Sequence, residues 1–350
     1  MRYWLGWIAG ALAIGLLLLT FVNASWLAPS PRGAVRLIAH RGISQLFHHR
    51  GLTDRDCTAK RIEVPVHDRI EDSVRSMRDS AQMGADMVQV DLASTADGRI
   101  ALFHDRTLDC RTDGRGAVRD RTLAELQALD PGYGYSTDGG KTFPLRGLRR
   151  DRIASLEEGL AALPATAILF TFQSRDPAEA DRLIAALKAI GRDVELRGDG
   201  FTGDPAPIAH VRDAFPTAWT YTKPGATACT MGYLRIGWLG FVPDACRNGT
   251  IMVPIDRQWL FPGWPNRLIA RMAAVGARVM IVGPRGSPDL GLGLTLPEQL
   301  GEVPDSFKGY IYVDDIWTLG PALRPDRDIR TEAQQKLAEQ GLARRRARAD

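Results

Sequence analysis

The sequence has little of what would tie it to a polyanion, a zinc ribbon or a disordered state. Its 45 Lys and Arg barely exceed its 41 Asp and Glu. Eight basic against five acidic side chains fall between Leu323 and Asp350, a net +3 that leaves only +1 for everything before it. A body so near neutrality is a poor polyphosphate surface, which argues against nucleic acid as a partner. The cluster Arg344, Arg345, Arg346 and Arg348 then reads as a solvated tail. No internal repeat or low-complexity stretch occurs, and 45% hydrophobic with 25% charged residues is a folded composition. Cysteine is scarce, and none of Cys57, Cys110, Cys229 and Cys246 stands in a CxxC pair of the kind zinc sites use.

Long apolar runs are also missing, with one exception. Tyr3 to Val22 carries no charge over twenty residues, the length a helix needs to cross about 30 Å of hydrocarbon. It is longer than a usual signal-peptide core, which favours an uncleaved anchor over residues 1–22. Arg2 before it and Arg32 and Arg36 after it run against the positive-inside tendency. An even number of cysteines in loop-like sequence allows two disulfides, most simply Cys57 with Cys110 and Cys229 with Cys246. Such bonds would place the body on the extracytoplasmic, periplasmic side, whereas four free thiols would not.

Residues 23–34 are rich in Pro and Ser and read as a linker. Beyond them, short apolar runs alternate with amphipathic helical stretches, the pattern of βα units around a parallel sheet. The runs are 35–39, 87–90, 100–103, 167–170, 250–255, 278–282 and 310–313. Thr122 to Glu125 and Ser155 to Glu158 are capping boxes, and Asp176-Pro177 opens a helix that Gly191 stops. The reading is a (β/α)8 TIM barrel over 35–322 with a small inserted subdomain at about 111–150, preceded by a transmembrane helix and followed by a basic tail over 323–350.

The chemistry-bearing residues stand where the apolar runs stop. Residues 35–39 lead into His40-Arg41-Gly42, 87–90 into Asp91, 100–103 into His104-Asp105, and 167–170 into Thr171 with Gln173 just beyond. In a parallel barrel these positions ring one mouth, where substrates bind. Two imidazoles supply an acid and a base near neutral pH, and a guanidinium forks onto phosphate as a lysine cannot.

On these residues the chain resembles the glycerophosphodiester phosphodiesterase family. The resemblance rests on Ile38-Ala39-His40-Arg41-Gly42, Glu71-Asp72-Ser73, Gln89-Val90-Asp91, His104-Asp105, Leu108-Asp109-Cys110-Arg111-Thr112 and, more weakly, Val313-Asp314-Asp315 onward. It implies hydrolysis of glycerophosphodiesters or lipid headgroup diesters to glycerol phosphate and an alcohol. His40 and His104 are the implied acid–base pair, Arg41 the phosphate ligand, and Asp91, Gln89 and Glu71 the holders of a divalent cation, Mg²⁺ or Ca²⁺. The substrate's glycerol hydroxyl would attack first, and water would open the cyclic phosphate.

The departures fall on the cation. Gln89 stands where the family has a Glu, Thr171 where it has a further Glu, and Gln173 where it has a Lys. Fewer anionic ligands mean a weakly held ion. Three readings stay open: a membrane-anchored phosphodiesterase, a phospholipase D-like relative, and a silent barrel that binds a diester or headgroup. His48 and His49 read as a solvated loop, and Trp259, Phe261 and Trp264 as loop packing. Asn248-Gly249-Thr250 matches a glycosylation acceptor, and His67 and His210 take no role.

Overall fold

The computed structural model describes residues 2–49, 51–52, 56–284 and 292–349. Met1 and Asp350, the outer limits of the expected anchor and tail, lie outside them. The strands are β1 (Arg36–Ala39), β2 (Met87–Ser94), β3 (Ile100–Leu102), β4 (Ala154–Ser155), β5 (Ala167–Phe172), β6 (Gly200–Gly203), β7 (Trp219–Thr222), β8 (Thr250–Pro254), β9 (Arg278–Val282) and β10 (Tyr310–Val313). The helices are α1 (Arg2–Asn23), α2 (Val74–Gln82), α3 (Leu123–Ala128), α4 (Leu156–Ala162), α5 (Pro177–Ile190), α6 (Val194–Arg197), α7 (Pro205–Ala214), α8 (Lys223–Ile236), α9 (Asn266–Ala274), α10 (Pro297–Gly301), α11 (Ile316–Leu323) and α12 (Glu332–Ala349).

Eight strands run parallel in the order β7-β6-β5-β2-β1-β10-β9-β8, a TIM barrel closed except between β7 and β8. Being covered on both faces, these strands read as continuous apolar runs rather than alternating ones. Ile38, Met87, Leu169, Trp219, Met280 and Tyr310 fill the interior. Leu37, Val88, Phe170, Ile251, Ile281 and Ile311 pack outward against the helices.

At the β7–β8 seam, side chains take over from the backbone ladder. Trp219 Nε1 donates to Thr250 Oγ1 at 2.9 Å across the two strands, while α8 is tied to β8 by Met252 N donating to Thr230 Oγ1 at 3.0 Å and to the turn before β8 by the Cys229–Cys246 bond. The second disulfide joins Cys57 to Cys110. Both pairs are those expected as simplest from sequence, although Cys229 lies inside α8 and not in a loop.

Residues 100–103 correct the strand reading. β3 is not a barrel strand but an antiparallel return along the far end of β2, with Leu102 opposite Leu92. The barrel strands in its stead are β6 and β7, which sequence periodicity does not reveal. Between β3 and β4 the chain forms turns, α3 and two small buried clusters, one around Leu108 and Leu126 and one around Tyr135 and Leu145.

The stretch expected to be a solvated appendage is α12, docked on the body. Ala338 and Leu342 are buried, and Arg345 Nη1 lies 2.5 Å from Asp315 Oδ2 with both side chains buried. Arg346 and Arg348 reach Glu298 and Glu63. At the other end, α1 stands apolar and exposed, with mean hydropathy 2.3 over Trp4–Asn23. Its last turn is bonded to the barrel: Asn23 Nδ2 donates to Trp238 O at 2.7 Å, and Arg271 donates to Asn23 Oδ1 and Val22 O at 3.0 Å each.

Candidate active site

The turn after β1 sets the first group of site residues. Arg41 and Gly42 both take positive φ, 58° and 71°, which glycine tolerates and other residues rarely adopt. A Cβ on Gly42 would stand 2.5 Å from Ser76 Oγ. That hydroxyl is needed in place, since it donates to Ile43 O at 2.9 Å and accepts from Ile43 N at 2.7 Å. Arg41 O accepts from Asp72 N at 3.0 Å, so the turn is pinned to the segment that enters α2 and carries Glu71.

Both expected histidines are anchored through the same ring nitrogen. His40 Nδ1 is 2.8 Å from Asp314 Oδ1, and its ring packs on Tyr312 with centroids 5.1 Å apart. His104 Nδ1 is 2.6 Å from Asp105 Oδ1. A carboxylate on Nδ1 orients an imidazole and leaves Nε2 for chemistry. His104 reaches the mouth because β3 turns back: Phe103 N donates to Asp91 O at 2.9 Å. Burial first, and then the Arg41 guanidinium, hold the His104 pKa below the ordinary imidazole value, against the pull of Asp105.

The single mouth cavity expected from sequence is two adjoining clefts. One is lined by His40, Arg41, Phe47, His49 and Asp314, the other by Asp72, His104, Arg111 and Tyr135. Glu71 belongs to both. His49, expected in a solvated loop, thus lines the His40 cleft. Asp91 feels both rings. Burial alone would raise its carboxyl, but Arg41, then His104 and His40, bring it below the usual range. Asp72 goes the other way, pushed well above that range by burial and by the charge of Asp91.

Asp91 lies at the centre, 1% exposed. Gln89 Nε2 and Gln173 Nε2 each donate to Asp91 Oδ1 at 2.7 Å, and Gln89 Nε2 also donates to Thr171 Oγ1 at 2.8 Å. Arg41 Nε stands 2.9 Å from Asp91 Oδ2 as an ion pair without hydrogen-bond alignment. Glu71 is held by Arg111, which also donates to Tyr135 OH at 3.0 Å, Thr58 Oγ1 at 2.8 Å and Asp105 Oδ2 at 3.0 Å.

These contacts test the expected cation ligands, and Asp91, Gln89 and Glu71 do not fit. Buried carboxylate oxygens of Glu71, Asp72 and Asp91 do lack hydrogen bonds. Yet among the described residues no three His, Cys, Asp or Glu side chains converge as a metal site. Gln89 Oε1, the one neutral oxygen expected to help, accepts from Arg41 N at 2.9 Å. The sequence reading missed Asp314, Asp105 and Arg111 as partners of the site residues, although all three stand inside the quoted motifs. Tyr135 and Tyr312 carried no motif signal. His67 is half-buried beside Gln45 and Trp317, and His210 pairs with Asp181 on the surface.

Known proteins are similar to this chain in sequence and in fold. A model of the glycerophosphoryl diester phosphodiesterase family matches residues 40–173. Glycerophosphodiester phosphodiesterase 1 of Bos taurus is 32% identical over 131 residues, 37% of this chain and 31% of its own length. A glycerophosphodiester phosphodiesterase of Bacillus subtilis is 40% identical over 73 residues, 21% of this chain and 23% of its own. The chain thus spans well under half the length of these curated relatives. A glycerophosphodiester phosphodiesterase structure from Agrobacterium tumefaciens has TM-score 0.53 at 19% identity, covering 82% of this chain and 99% of that one. An Oleispira antarctica phosphodiesterase in complex with the product sn-glycerol-3-phosphate has TM-score 0.51 at 15% identity, covering 85% and 98%. At such identities the likeness is one of fold. The HRG turn, the HD return and the matched stretch all fall in one barrel, and over residues 40–173 the chain is similar to the glycerophosphoryl diester phosphodiesterase family.

Proposed function

We propose that the chain hydrolyses glycerophosphodiesters to glycerol phosphate and an alcohol, with His40 and His104 as acid and base and Arg41 as the phosphate ligand. The observation that carries this is the pair of imidazoles, each fixed at Nδ1 by its own carboxylate, in clefts that meet at Glu71 beside a buried guanidinium. One imidazole takes the proton of the glycerol hydroxyl as its oxygen bonds to phosphorus. The other protonates the departing alkoxide as the second P–O bond breaks, which leaves a cyclic phosphate. Water then adds to phosphorus with the roles reversed, and the ring P–O bond to the glycerol oxygen that attacked breaks as that oxygen is protonated, giving glycerol phosphate. Arg41 offers donors to the equatorial oxygens where charge gathers. A divalent cation, when bound in such a barrel, would act as a Lewis acid.

Helix α1 is read as the anchor, with the barrel on the extracytoplasmic side. Its apolar, exposed surface and the two disulfides support that placement. The test is turnover of glycerophosphocholine by the full chain in detergent, with His40→Ala and His104→Ala beside it. Release of glycerol phosphate and choline, lost in both variants, is expected. Binding of sn-glycerol 3-phosphate without turnover of any diester would instead assign a silent barrel.

A further inference from the structure

We infer that the Arg41 guanidinium stands in the place of a cation, so that the site handles its phosphodiester without a divalent ion. This rests on the proposed reading of the site as a phosphodiester site, and it follows from the polarity of the groups around Asp91.

A hard cation needs lone pairs directed at it; Glu71, Asp72 and Asp91 each keep one oxygen without a hydrogen bond, but the groups that converge on Asp91 are donors. Oδ1 of Asp91 already accepts two amide N–H bonds, from Gln89 and Gln173. Its Oδ2 faces Arg41 Nε. The Gln89 amide cannot turn over to offer its oxygen instead. Arg41 N–H is held 2.9 Å from Gln89 Oε1, and a reversed amide would set N–H against N–H there. It would also take donors away from both Asp91 and Thr171. Thr171 Oγ1 is used in turn by Gln89 Nε2. Glu71, the remaining carboxylate, is bonded to Arg111 and lies 4.0 Å from Arg41 Nη1. Arg41 faces Asp91 while Arg111 holds Glu71 and Asp105, and an added dication would meet the positive face of Arg41. A fixed guanidinium meets a phosphate through several directed N–H bonds.

The test uses the full chain in detergent with two readouts. Turnover of glycerophosphocholine should be the same with EDTA as with added Mg²⁺ or Ca²⁺. The electron paramagnetic resonance signal of free Mn²⁺ should not be quenched by the wild-type chain, with or without sn-glycerol 3-phosphate. Replacing the neutral donors by carboxylates, Gln89→Glu with Thr171→Glu, should produce quenching. A tenfold or greater loss of turnover on chelation that one cation restores would overturn the inference, as would quenching by the wild type. A double variant that gains no Mn²⁺ overturns the placement of Arg41 in a cation's position. Should no diester be turned over, the functional reading fails, while the Mn²⁺ signal still decides this one.

Discussion

Arg41 Nε lies 2.9 Å from Asp91 Oδ2, with side chains only 13% and 1% exposed. Removing one partner of a buried pair leaves an uncompensated charge and typically costs about 3–5 kcal/mol. Asp91→Ala should therefore lower the urea-unfolding free energy by about that amount. Arg41→Lys keeps the charge and should lose less stability, but it should weaken binding of sn-glycerol 3-phosphate about tenfold, as measured by calorimetry, because the fork is gone.

His104 should titrate below the ordinary imidazole value of 6.5, since burial and Arg41 both disfavour its charged form. With the folded value depressed, the neutral ring is favoured. The stability this contributes is present above 6.5 and is lost as pH falls through the folded value. Asp105→Asn removes a partner that favours the charged ring, so the midpoint should move further down in an NMR titration. Turnover should fall about 10²-fold with it. A midpoint that rises would contradict the role given to Asp105.

Cys57 and Cys110 flank Thr58 and Arg111, which are bonded to each other at 2.8 Å. Arg111 in turn holds Glu71 and Asp105. Cys57→Ser with Cys110→Ser opens a loop of 53 residues, which in the chain-entropy account costs about 4 kcal/mol. Denaturant unfolding should register that loss. Turnover measured well below the melting temperature should also drop, because the Asp105 that orients His104 loses its brace.

Arg345→Ala should destabilise the barrel by about 3 kcal/mol, because it strands Asp315, whose side chain is 5% exposed. Arg344→Ala, one position earlier and exposed, should change stability by less than about 0.5 kcal/mol. Thermal unfolding of the two variants checks whether the last helix is part of the folded body.

The barrel was legible wherever burial on both faces wrote an unbroken apolar run, as in β1, β2, β5, β8, β9 and β10. It was illegible in β6 and β7, where Gly200-Phe-Thr-Gly203 and Trp219-Thr-Tyr-Thr222 mix small and hydroxyl residues with aromatics. Direction is not encoded in such runs, so β3 read as one more barrel strand. The candidate site residues could be named because polar groups ending apolar strands of a parallel barrel face its mouth. Their partners were not: Asp314 meets His40 across 274 positions, and Gln89 meets Thr171 across 82. Nor does sequence say which way an amide faces, and the proposed absence of the expected ion rests on that orientation. The docking of the C-terminal helix was hidden for a similar reason, since a few buried residues in a strongly charged stretch leave no amphipathic signal.

The join between β7 and β8 gives the fold a preferred place to yield. Everywhere else along the ring adjacent strands are zipped by peptide hydrogen bonds, which resist piecemeal opening. Here Trp219 reaches Thr250 across the two strands, and α8 between them is tied to β8 through Thr230 and to its approach by one covalent clasp. Removing the clasp alone, by Cys229→Ser with Cys246→Ser, should let deuterium into the amides of this sector well before the ones opposite, around β1 and β2. The half of the molecule that bears the chemistry would then outlast the half that merely closes the circle.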